Sequence, residues 1–598
     1  MAILLALVSC TSEIVDNHTV MCDSFYALLE KDTTSTKVSL GGTSSDIFRK
    51  TYWSYDDKIA VVGHDELAVS EFSCVSTEMS DVALFKGSIA ENSDYSGFFP
   101  YSNFCSADME KVYFTLPEHQ KYSVDNVYAD ALPMIAQFKE GELNFKNLCG
   151  ILQLNLTGEG YVKKIVFRGY DEDGHSKPIS GDASVEYKYD GKPKLIMSES
   201  ASNRVILDCG HTGVHLSNSE VTPFYIVLPP GLYSTFEIEV SLTDNSMMII
   251  EGVKPLSIER SGIVRTANKE FKASAISLCV DGSANSYIIS EVGKYGFRLV
   301  RGNSDTLVEN VSSVSVLWET LGTLEKPSKG CLIKEVELRG NYMLFNVASP
   351  FEEGNAVVAA SDYNGRILWS WHIWLTDDIP EEITYANNSG IMMDRNLGAT
   401  SAEPGSVSSL GLLYQWGRKD PFLGSGTTSW AYGDDDSKLV AASTISWPEP
   451  VLHATPEYTI EHPTTYVKTF ENNNWFTEAV SDTLWNSSKT MYDPCPVGWR
   501  VPSVDIWFLA GVNERNYHYS TSVNGVYING SFYPGTGWRS GSDGEYFSFE
   551  YPDGRYHAID GLLTINNILI PLDAVSCGRS VVHSGNGFSV RCQKNQQK

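Results

Sequence analysis

Strand patterns dominate the chain. Apolar residues alternate with polar residues over positions 112–116, 152–156 and 236–242, which places the apolar side chains of each segment on one face. The other face of 236–242 carries Glu237 and Glu239, so this segment is predicted to be a half-buried strand. Short runs of this kind are broken by 48 glycines and 24 prolines, and they predict antiparallel β-sandwiches over about residues 20–375.

Helical periodicity is scarce, and the clearest helical segment spans residues 503–512. Ser503 can cap a helix there, because its hydroxyl can accept a hydrogen bond from a backbone N–H group of the first turn. The helical period predicts a shared face made of Ile506, Leu509 and Ala510.

Composition shifts suggest where domains begin and end. The apolar run 145–156 gives way to Glu159 and Gly160, small and basic residues accumulate over 261–284, and acidic residues, Pro and Asn cluster over 377–389. These shifts predict domains at 20–158, 159–275, 284–376 and 381–598.

Size and charge narrow the classes of function. The 598 residues exceed the size at which one hydrophobic core stops growing, so several domains are expected. With 42% hydrophobic and 20% charged residues, the chain can fill several cores. Its 45 Lys and Arg against 74 Asp and Glu give a net charge of −29, which repels phosphate backbones and disfavours nucleic-acid binding.

The first ten residues, MAILLALVSC, resemble a bacterial lipoprotein signal. In that resemblance residues 7–9 form the lipobox, and Cys10 is acylated and becomes the mature N-terminus. The positive charges of an export signal are missing before the apolar run. A buried N-terminal strand is the alternative interpretation. The resemblance implies a surface lipoprotein of the outer membrane, attached through its lipid.

Six segments in the first half of the chain carry a second resemblance. They read TKVSLGGTSSDIFRKTYWSYDDKIAVVG at 36–63, FFPY at 98–101, VYFTLPEHQKY at 112–122, FKNLCGILQLNLTG at 145–158, ISG at 179–181 and FYIVLPPGLY at 224–233. In this order they resemble the fimbrillin family of Bacteroidetes over about residues 20–270. The resemblance implies two tandem transthyretin-like β-sandwiches, at 20–158 and 159–275, in a subunit of the type V pilus or a related fibre.

The fimbrillin resemblance also implies how subunits join. An early strand is removed by proteolysis, and the open groove then accepts a strand from a neighbouring subunit, since its unpaired backbone groups need partners. The candidate for removal is the alternating segment SFYALLE at 24–30. An Arg- or Lys-directed protease could cut after it at Lys37, Arg49 or Lys50; each is otherwise a surface cation.

The C-terminal half carries a third resemblance. Its segments are EEGNAVVAASDYNGRILWSWHIW at 352–374, MMDRNLGA at 392–399, GLLYQWGRKDPF at 411–422, YDPCPVGWRVPS at 492–503 and GFSVRC at 587–592. They resemble the module of Fibrobacter major paralogous proteins, with similarity to C-type-lectin-like folds. The resemblance implies an Ig-like β domain at 284–376 and a loop-rich α+β domain at 381–598. Cys495 and Cys592 close two of these motifs and could form a disulfide; Cys577 is an equally available partner, and free thiols remain an alternative.

Twelve of the 13 tryptophans follow residue 284. Their faces would suit a glycan-binding adhesin, but large rings also fill the cores of loop-rich folds, and Trp369, Trp371 and Ile373 share one face of a predicted strand. His372 lies among these rings in the sequence. It is either a catalytic base or a core residue whose ring nitrogens both have hydrogen-bond partners.

Signatures of catalysis are missing from the sequence. It holds no GxSxG, HExxH or P-loop, and the acidic run 434–436 lacks the spaced ligands of an EF-hand, so no cofactor or metal is expected. The strand patterns predict a mainly β fold, and the fimbrillin resemblance, with a large module following it, implies a non-enzymatic fibre subunit of the tip or accessory type. The alternatives are a standalone surface lipoprotein that binds glycan or host protein and, last, a carbohydrate-active enzyme with two carboxylates across a cleft.

Overall fold

A computed structural model divides the chain into two compact units, Met1–Ser274 and Ala275–Lys598. Both units are mainly β, which confirms the predicted fold class. Within the described residues, no helix is long and apolar enough to cross a membrane. The structure describes residues 21–30, 52–65, 67–428, 439–469, 474–476, 484–512, 517–520, 523, 525–544, 546–547, 554–567, 575–580 and 584–595.

The described part of the first unit is built from strands and two short 3₁₀ turns, Tyr101–Asn103 and Ala129–Ala131. The strands are β1 Met21–Leu29, β2 Lys58–Gly63, β3 Ala68–Cys74, β4 Val82–Ala90, β5 Tyr95–Phe99, β6 Phe104–Ala107, β7 Lys111–Leu116, β8 His119–Lys121, β9 Met134–Lys139, β10 Glu142–Asn147, β11 Gly150–Thr157, β12 Tyr161–Tyr170, β13 Gly181–Glu186, β14 Leu195–Met197, β15 Val205–Asp208, β16 Val214–His215, β17 Thr222–Leu228, β18 Gly231–Tyr233, β19 Thr235–Leu242, β20 Ser246–Gly252, β21 Leu256–Ile258, β22 Ile263–Arg265 and β23 Lys269–Glu270.

Seven of these strands close into a barrel in the order β1-β10-β9-β5-β2-β3-β4. β1 lies parallel to β10 and antiparallel to β4. The barrel core is dominated by aromatic rings, among them Phe25, Trp53, Phe72, Phe85 and Phe145. Because each of the seven strands is hydrogen-bonded on both sides, the barrel presents no free sheet edge among its described strands.

β1 shows how local alternation produces a barrel strand. Successive side chains of a strand point to opposite faces. Phe25, Ala27 and Leu29 are each at most 4% exposed, whereas Tyr26 between them is 52% exposed. The strand predicted at 24–30 is confirmed, and in the structure it begins earlier, at Met21.

The remaining strands of the first unit form smaller sheets around two further cores. One sheet runs β17-β11-β22 with β23 beside β11, a second runs β14-β13-β7-β6, and in a third β8, β15, β12, β19 and β20 follow one another. β7 pairs with β13 and β8 with β15, so strands on both sides of Gly158 share sheets. The apolar faces of β7 and β13 fill one core, with Val112 and Phe114 packed beside Val185. The hydrogen-bonded sheets therefore do not follow the predicted division at Gly158.

β19 forms where alternation predicts it, but it is not half-buried. Glu237 is 4% exposed and Glu239 is 6% exposed. The carboxylate of Glu237 accepts a hydrogen bond of 2.7 Å from the Tyr170 hydroxyl, and that of Glu239 accepts one of 3.1 Å from Ser241. The predicted solvent-facing side is wrong, because these hydroxyl groups replace water as partners of the carboxylates.

The second unit has two helices and two 3₁₀ turns in its described part: α1 Pro456–Glu461, α2 Asp505–Leu509, Ala386–Asn388 and Val407–Ser409. Its strands are β24 Ala275–Ser277, β25 Ser286–Ile289, β26 Lys294–Arg298, β27 Ser313–Thr320, β28 Ile333–Arg339, β29 Tyr342–Val347, β30 Gly354–Ser361, β31 Ile367–Leu375, β32 Glu382–Tyr385, β33 Gly390–Met393, β34 Leu413–Gln415, β35 Val451–Leu452, β36 Val467–Lys468, β37 Trp499–Arg500, β38 Tyr517–Ser520, β39 Gly525–Ile528, β40 Ser531–Pro534, β41 Trp538–Arg539, β42 Tyr546–Phe547, β43 Gly554–His557, β44 Leu562–Asn567, β45 Val575–Ser580, β46 Gly587–Ser589 and β47 Gln593–Lys594.

The first part of this unit packs two sheets around one core. In one sheet β28, β29, β26 and β24 are neighbours, and the other runs β25-β31-β30-β27. Between them lie Phe297, Phe345, Trp369, Trp371 and Ile373. The predicted shared face of the last three residues on β31 is confirmed.

The rest of the second unit consists of short strands joined by long connections. β33, β47 and β37 are neighbours in a sheet with β32, and β34 pairs with β46. These pairings bring together four of the motifs at 392–399, 411–422, 492–503 and 587–592. The Arg591 guanidinium lies buried among them, where it donates to the Asn396 side chain at 2.9 Å and to the Ser531 hydroxyl at 2.8 Å.

The predicted helix at 503–512 is shorter than expected. The helix begins at Asp505, and its N-cap residue, Val504, provides no side-chain cap. The Ser503 hydroxyl accepts a hydrogen bond of 3.4 Å from the Asp505 backbone N–H and donates to Asp560, which also accepts the Val504 backbone N–H. Leu509, predicted to be buried, is 61% exposed. Trp507 occupies the core instead, because its indole N–H donates a hydrogen bond of 2.8 Å to the buried Tyr533 hydroxyl.

Candidate assembly site at the first strand

Backbone hydrogen bonds hold β1 along both of its edges. Residues 26–29 pair in parallel with Glu142–Phe145 of β10, and residues 21–28 pair with β4. The Trp53 indole N–H adds a hydrogen bond of 3.1 Å to the Ala27 carbonyl. If β1 were absent, β4 and β10 would each present a row of backbone groups without partners.

Side chains of β1 fill defined places in the barrel core. The Phe25 ring meets Phe72, Tyr95 and Phe138 edge to face, at centroid distances of 5.3, 5.0 and 5.9 Å. Ala27 is fully buried and Leu29 is 3% exposed. The groove that holds β1 therefore has three side-chain pockets, two residues apart along the strand. They take an aromatic, a small and an aliphatic side chain.

A charged cluster closes the C-terminal end of β1. The Glu30 carboxylate accepts hydrogen bonds from Arg260 Nη1 at 2.5 Å, from the Ser261 hydroxyl at 2.7 Å and from the Asn147 backbone N–H at 3.3 Å. The side chains of Arg260 and Glu30 are only 8% and 10% exposed. We name these four residues the Glu30 cluster. Burial and then the Glu30 carboxylate raise the pKa of the nearby Tyr189, while Arg260 acts in the opposite direction.

A tight turn presents Arg260 and Ser261 to β1. Ser261 has a φ of +61°, and its N–H donates to the Cys149 carbonyl at 2.9 Å. The turn presses against Gly150, where an added Cβ would lie 2.2 Å from the Glu259 carbonyl oxygen. Glycine is thus required at position 150 for this close approach.

The Glu30 cluster was not predicted from the sequence. Its ion pair joins residues 230 positions apart, and no local motif marks Arg260 as the partner of Glu30. The one available signal was Glu30 itself, a carboxylate placed directly after an alternating apolar strand.

Several predicted site residues lie outside the described residues. They are Cys10, the three candidate cleavage positions Lys37, Arg49 and Lys50, and the acidic run 434–436. In the sequence, the three cleavage positions follow β1 and precede Trp53.

Cys495 and Cys592 form a disulfide in the second unit. Beside it, Lys489 donates to the carbonyl oxygens of Cys495 and Pro496 at 2.9 and 2.8 Å, and Asp493 accepts the N–H groups of Cys495 and Val501. Burial lowers the pKa of Lys489 and raises that of Asp493. These groups hold the connection before β37 in place.

His372 lies in the core of the second unit. Its Nδ1 is 2.9 Å from the Ser286 hydroxyl and its Nε2 is 2.8 Å from Oδ1 of Asn355, an arrangement that could in principle activate a serine. Ser286 is fully buried and His372 is 2% exposed, and burial lowers the pKa of His372 to about 3. The imidazole is neutral at physiological pH and joins β25, β30 and β31.

The tryptophans named as candidate ligand contacts are mostly core residues. Among those fully buried are Trp318, Trp369, Trp371, Trp374, Trp475, Trp485 and Trp507. A small cleft with a volume of about 20 Å³ lies elsewhere in the second unit. Its lining includes Thr320, Asn355, Thr400, Ser408 and Ser425. A volume of this size holds about one water molecule.

One group of metal-ligand side chains occurs among the described residues: Asp171, Asp173 and His175. Asp171 Oδ1 already accepts the backbone N–H groups of Asp173 and His175, which makes this an ordinary polar turn.

Comparisons with known proteins give distant likenesses. No family model and no curated protein matches the chain. A Bacteroides ovatus structure provisionally named as a cell adhesion protein is 12% identical with a TM-score of 0.28, over 42% of this chain and 91% of its own. A B. ovatus fimbrial protein is 10% identical with a TM-score of 0.19, over 92% and 96%. The C-terminally truncated tip fimbrial protein Mfa3 of Porphyromonas gingivalis is 10% identical with a TM-score of 0.16, over 40% and 94%.

Proposed function

We propose that this protein is a structural and adhesive component of a bacterial surface fibre, and that it joins its neighbour by exchanging β1 for a strand of another subunit. The observation that carries the proposal is the placement of β1. It is hydrogen-bonded to β4 and β10 along its edges, and in the sequence Lys37, Arg49 and Lys50 lie between it and Trp53.

Strand exchange follows from the physics of the groove. Once the chain is cut after β1, the strand is held by non-covalent contacts alone, and an equivalent strand can take over its hydrogen bonds. An empty groove would be unfavourable in free energy. The backbone groups that β1 pairs would lose their partners, and the apolar pockets of Phe25 and Leu29 would be exposed to water. A donated strand is therefore the favoured outcome.

A terminal or accessory position in the fibre suits the second unit. β46 and β47 pair with strands of their own unit, and Cys592 is tied covalently to Cys495. The segment 587–594 is therefore committed and does not serve as a donor strand. We assign the binding of a glycan or protein ligand to this unit.

The proposal places the protein at the cell surface, exported through the lipoprotein route with Cys10 as the lipidated residue. It assigns no catalytic role. The buried, neutral state of His372 supports this, because a substrate could not reach the Ser286 hydroxyl beside it.

Mass spectrometry of the protein recovered from intact cells tests the proposal. We expect a population whose N-terminus lies directly after Lys37, Arg49 or Lys50, found in the fibre fraction and lacking residues 21–30. A uniform population that begins at lipidated Cys10 would contradict strand removal and favour a standalone surface lipoprotein.

A further inference from the structure

We infer that the Glu30 cluster selects the incoming strand, and that this strand must carry a carboxylate at the position of Glu30. The inference rests on the proposed function and adds the chemistry of the partner. Glu30 directly follows β1, and the other three members of the cluster lie far from it in the sequence, so the donors that hold Glu30 remain in the groove after β1 and Glu30 leave.

The three donors are fixed independently of β1. Asn147 is the last residue of β10, and the turn with Arg260 and Ser261 is held by the Ser261 N–H to the Cys149 carbonyl and by the Gly262 N–H to the Glu259 carbonyl, at 2.9 and 3.0 Å. Arg260 also donates to the Asn147 carbonyl at 3.0 Å. The end of the groove is therefore a preformed anion-binding socket.

Burial makes this socket selective. With β1 and Glu30 in place the Arg260 side chain is 8% exposed, so a seated strand leaves the Arg260 charge weakly hydrated unless the strand supplies a carboxylate. An amide at the same position would accept the hydrogen bonds without the charge, and a lysine or arginine would bring a second positive charge. Glutamate or aspartate is therefore the residue that the socket accepts.

The rest of the groove completes the description of the partner. The pocket of Phe25 takes an aromatic ring, the pocket of the fully buried Ala27 takes a small residue, and the pocket of Leu29 takes an aliphatic residue. The positions of Tyr26 and Leu28 face outward and accept many residues. The predicted partner strand reads aromatic, any, small, any, aliphatic, acidic, and it runs parallel to β10.

A peptide competition tests the socket on the full chain. A site-specific protease sequence is inserted after Lys37, the chain is cut there, and it is briefly unfolded and refolded with excess labelled peptide so that slow release of β1 is not limiting. The peptides carry residues 21–30 with Glu30, with Glu30→Gln, or with Tyr26→Ala as the matched control. Bound peptide is measured by fluorescence anisotropy.

We expect the Gln peptide to bind roughly 10- to 100-fold more weakly than the Glu peptide, as for a lost charged hydrogen bond. The control peptide should bind like the native one. In an Arg260→Gln chain the preference for Glu should shrink to about twofold or less. A Ser261→Ala chain, which keeps the arginine, gives an intermediate preference and serves if the first variant does not fold.

The outcomes separate the two claims. If Glu and Gln peptides bind equally to the unsubstituted chain, the socket is refuted while strand exchange stands. If none of the peptides enters the groove, strand exchange itself is refuted, and the socket falls with it.

Discussion

Replacing Phe25 by alanine should loosen the barrel strongly, whereas replacing its neighbour Tyr26 should not. Removing a core phenylalanine costs about 3–5 kcal/mol. Phe25 is 4% exposed and lies edge to face against three rings within 5.9 Å, and such pairs add about 0.5–1.5 kcal/mol each beyond their buried area. We therefore expect a loss of about 3–5 kcal/mol of barrel stability for Phe25→Ala.

Hydrogen exchange followed by mass spectrometry measures this loss locally. Amides of β1, β4 and β10 exchange when the barrel opens, and each 1.4 kcal/mol corresponds to a tenfold change in the opening equilibrium. Phe25→Ala should therefore accelerate their exchange by about 140- to 3,700-fold. Peptides from the second unit provide the internal reference, because that unit has its own cores.

Tyr26→Ala is the matched control, since Tyr26 is 52% exposed on the same strand. A surface substitution of this kind changes stability by about 0.5 kcal/mol at most, which is roughly a twofold effect on exchange. The reasoning would be refuted if the two variants accelerated exchange equally, or if Phe25→Ala changed it by less than tenfold.

Three further predictions concern single groups. Trp53→Phe removes the indole hydrogen bond to the Ala27 carbonyl and should weaken β1 protection by about 1 kcal/mol, measured by the same exchange experiment. Cys592→Ser opens a loop of 97 residues and should lower the stability of the second unit by about 2–5 kcal/mol in a thermal scan, an effect that reduction of the unsubstituted chain should reproduce. The lowered pKa of His372 means that the unfolded chain binds its proton first, so stability is lost as the pH falls from 6.5 toward about 3; His372→Gln should reduce that slope by up to about 1.4 kcal/mol per pH unit. An unchanged slope would show that His372 does not titrate on unfolding.

The strands of this protein could be predicted because their signal is local. Phe25, Ala27 and Leu29 mark a buried face through a period of two, and the strand that carries Trp369 and Trp371 was recognisable in the same way. Burial on the opposite face was not predictable, as Glu237 shows. Whether a carboxylate faces water or a tyrosine hydroxyl depends on which strands lie around it.

The contacts that define the candidate site are long-range, which is why the sequence did not reveal them. Glu30 and Arg260 meet through the closure of the barrel and the turn after β21, and neither has a neighbouring residue that indicates the other. The start of the helix predicted at 503–512 also involves a distant residue, because Asp560 accepts the Ser503 hydroxyl and the Val504 backbone N–H just before the helix begins at Asp505.

Locking β1 in place tests the central claim most directly. Tyr26 and Leu84 face each other across β1 and β4, and opposed residues of antiparallel strands lie about 4.5–5.5 Å apart, within the range that a disulfide spans. A Tyr26→Cys and Leu84→Cys double variant, expressed in cells and oxidised, should stay out of surface fibres, and a reducing agent should restore its incorporation. Each single variant should assemble like the unsubstituted protein. Incorporation of the double variant with its disulfide intact would contradict the account, because the fibre would then form without release of the first strand.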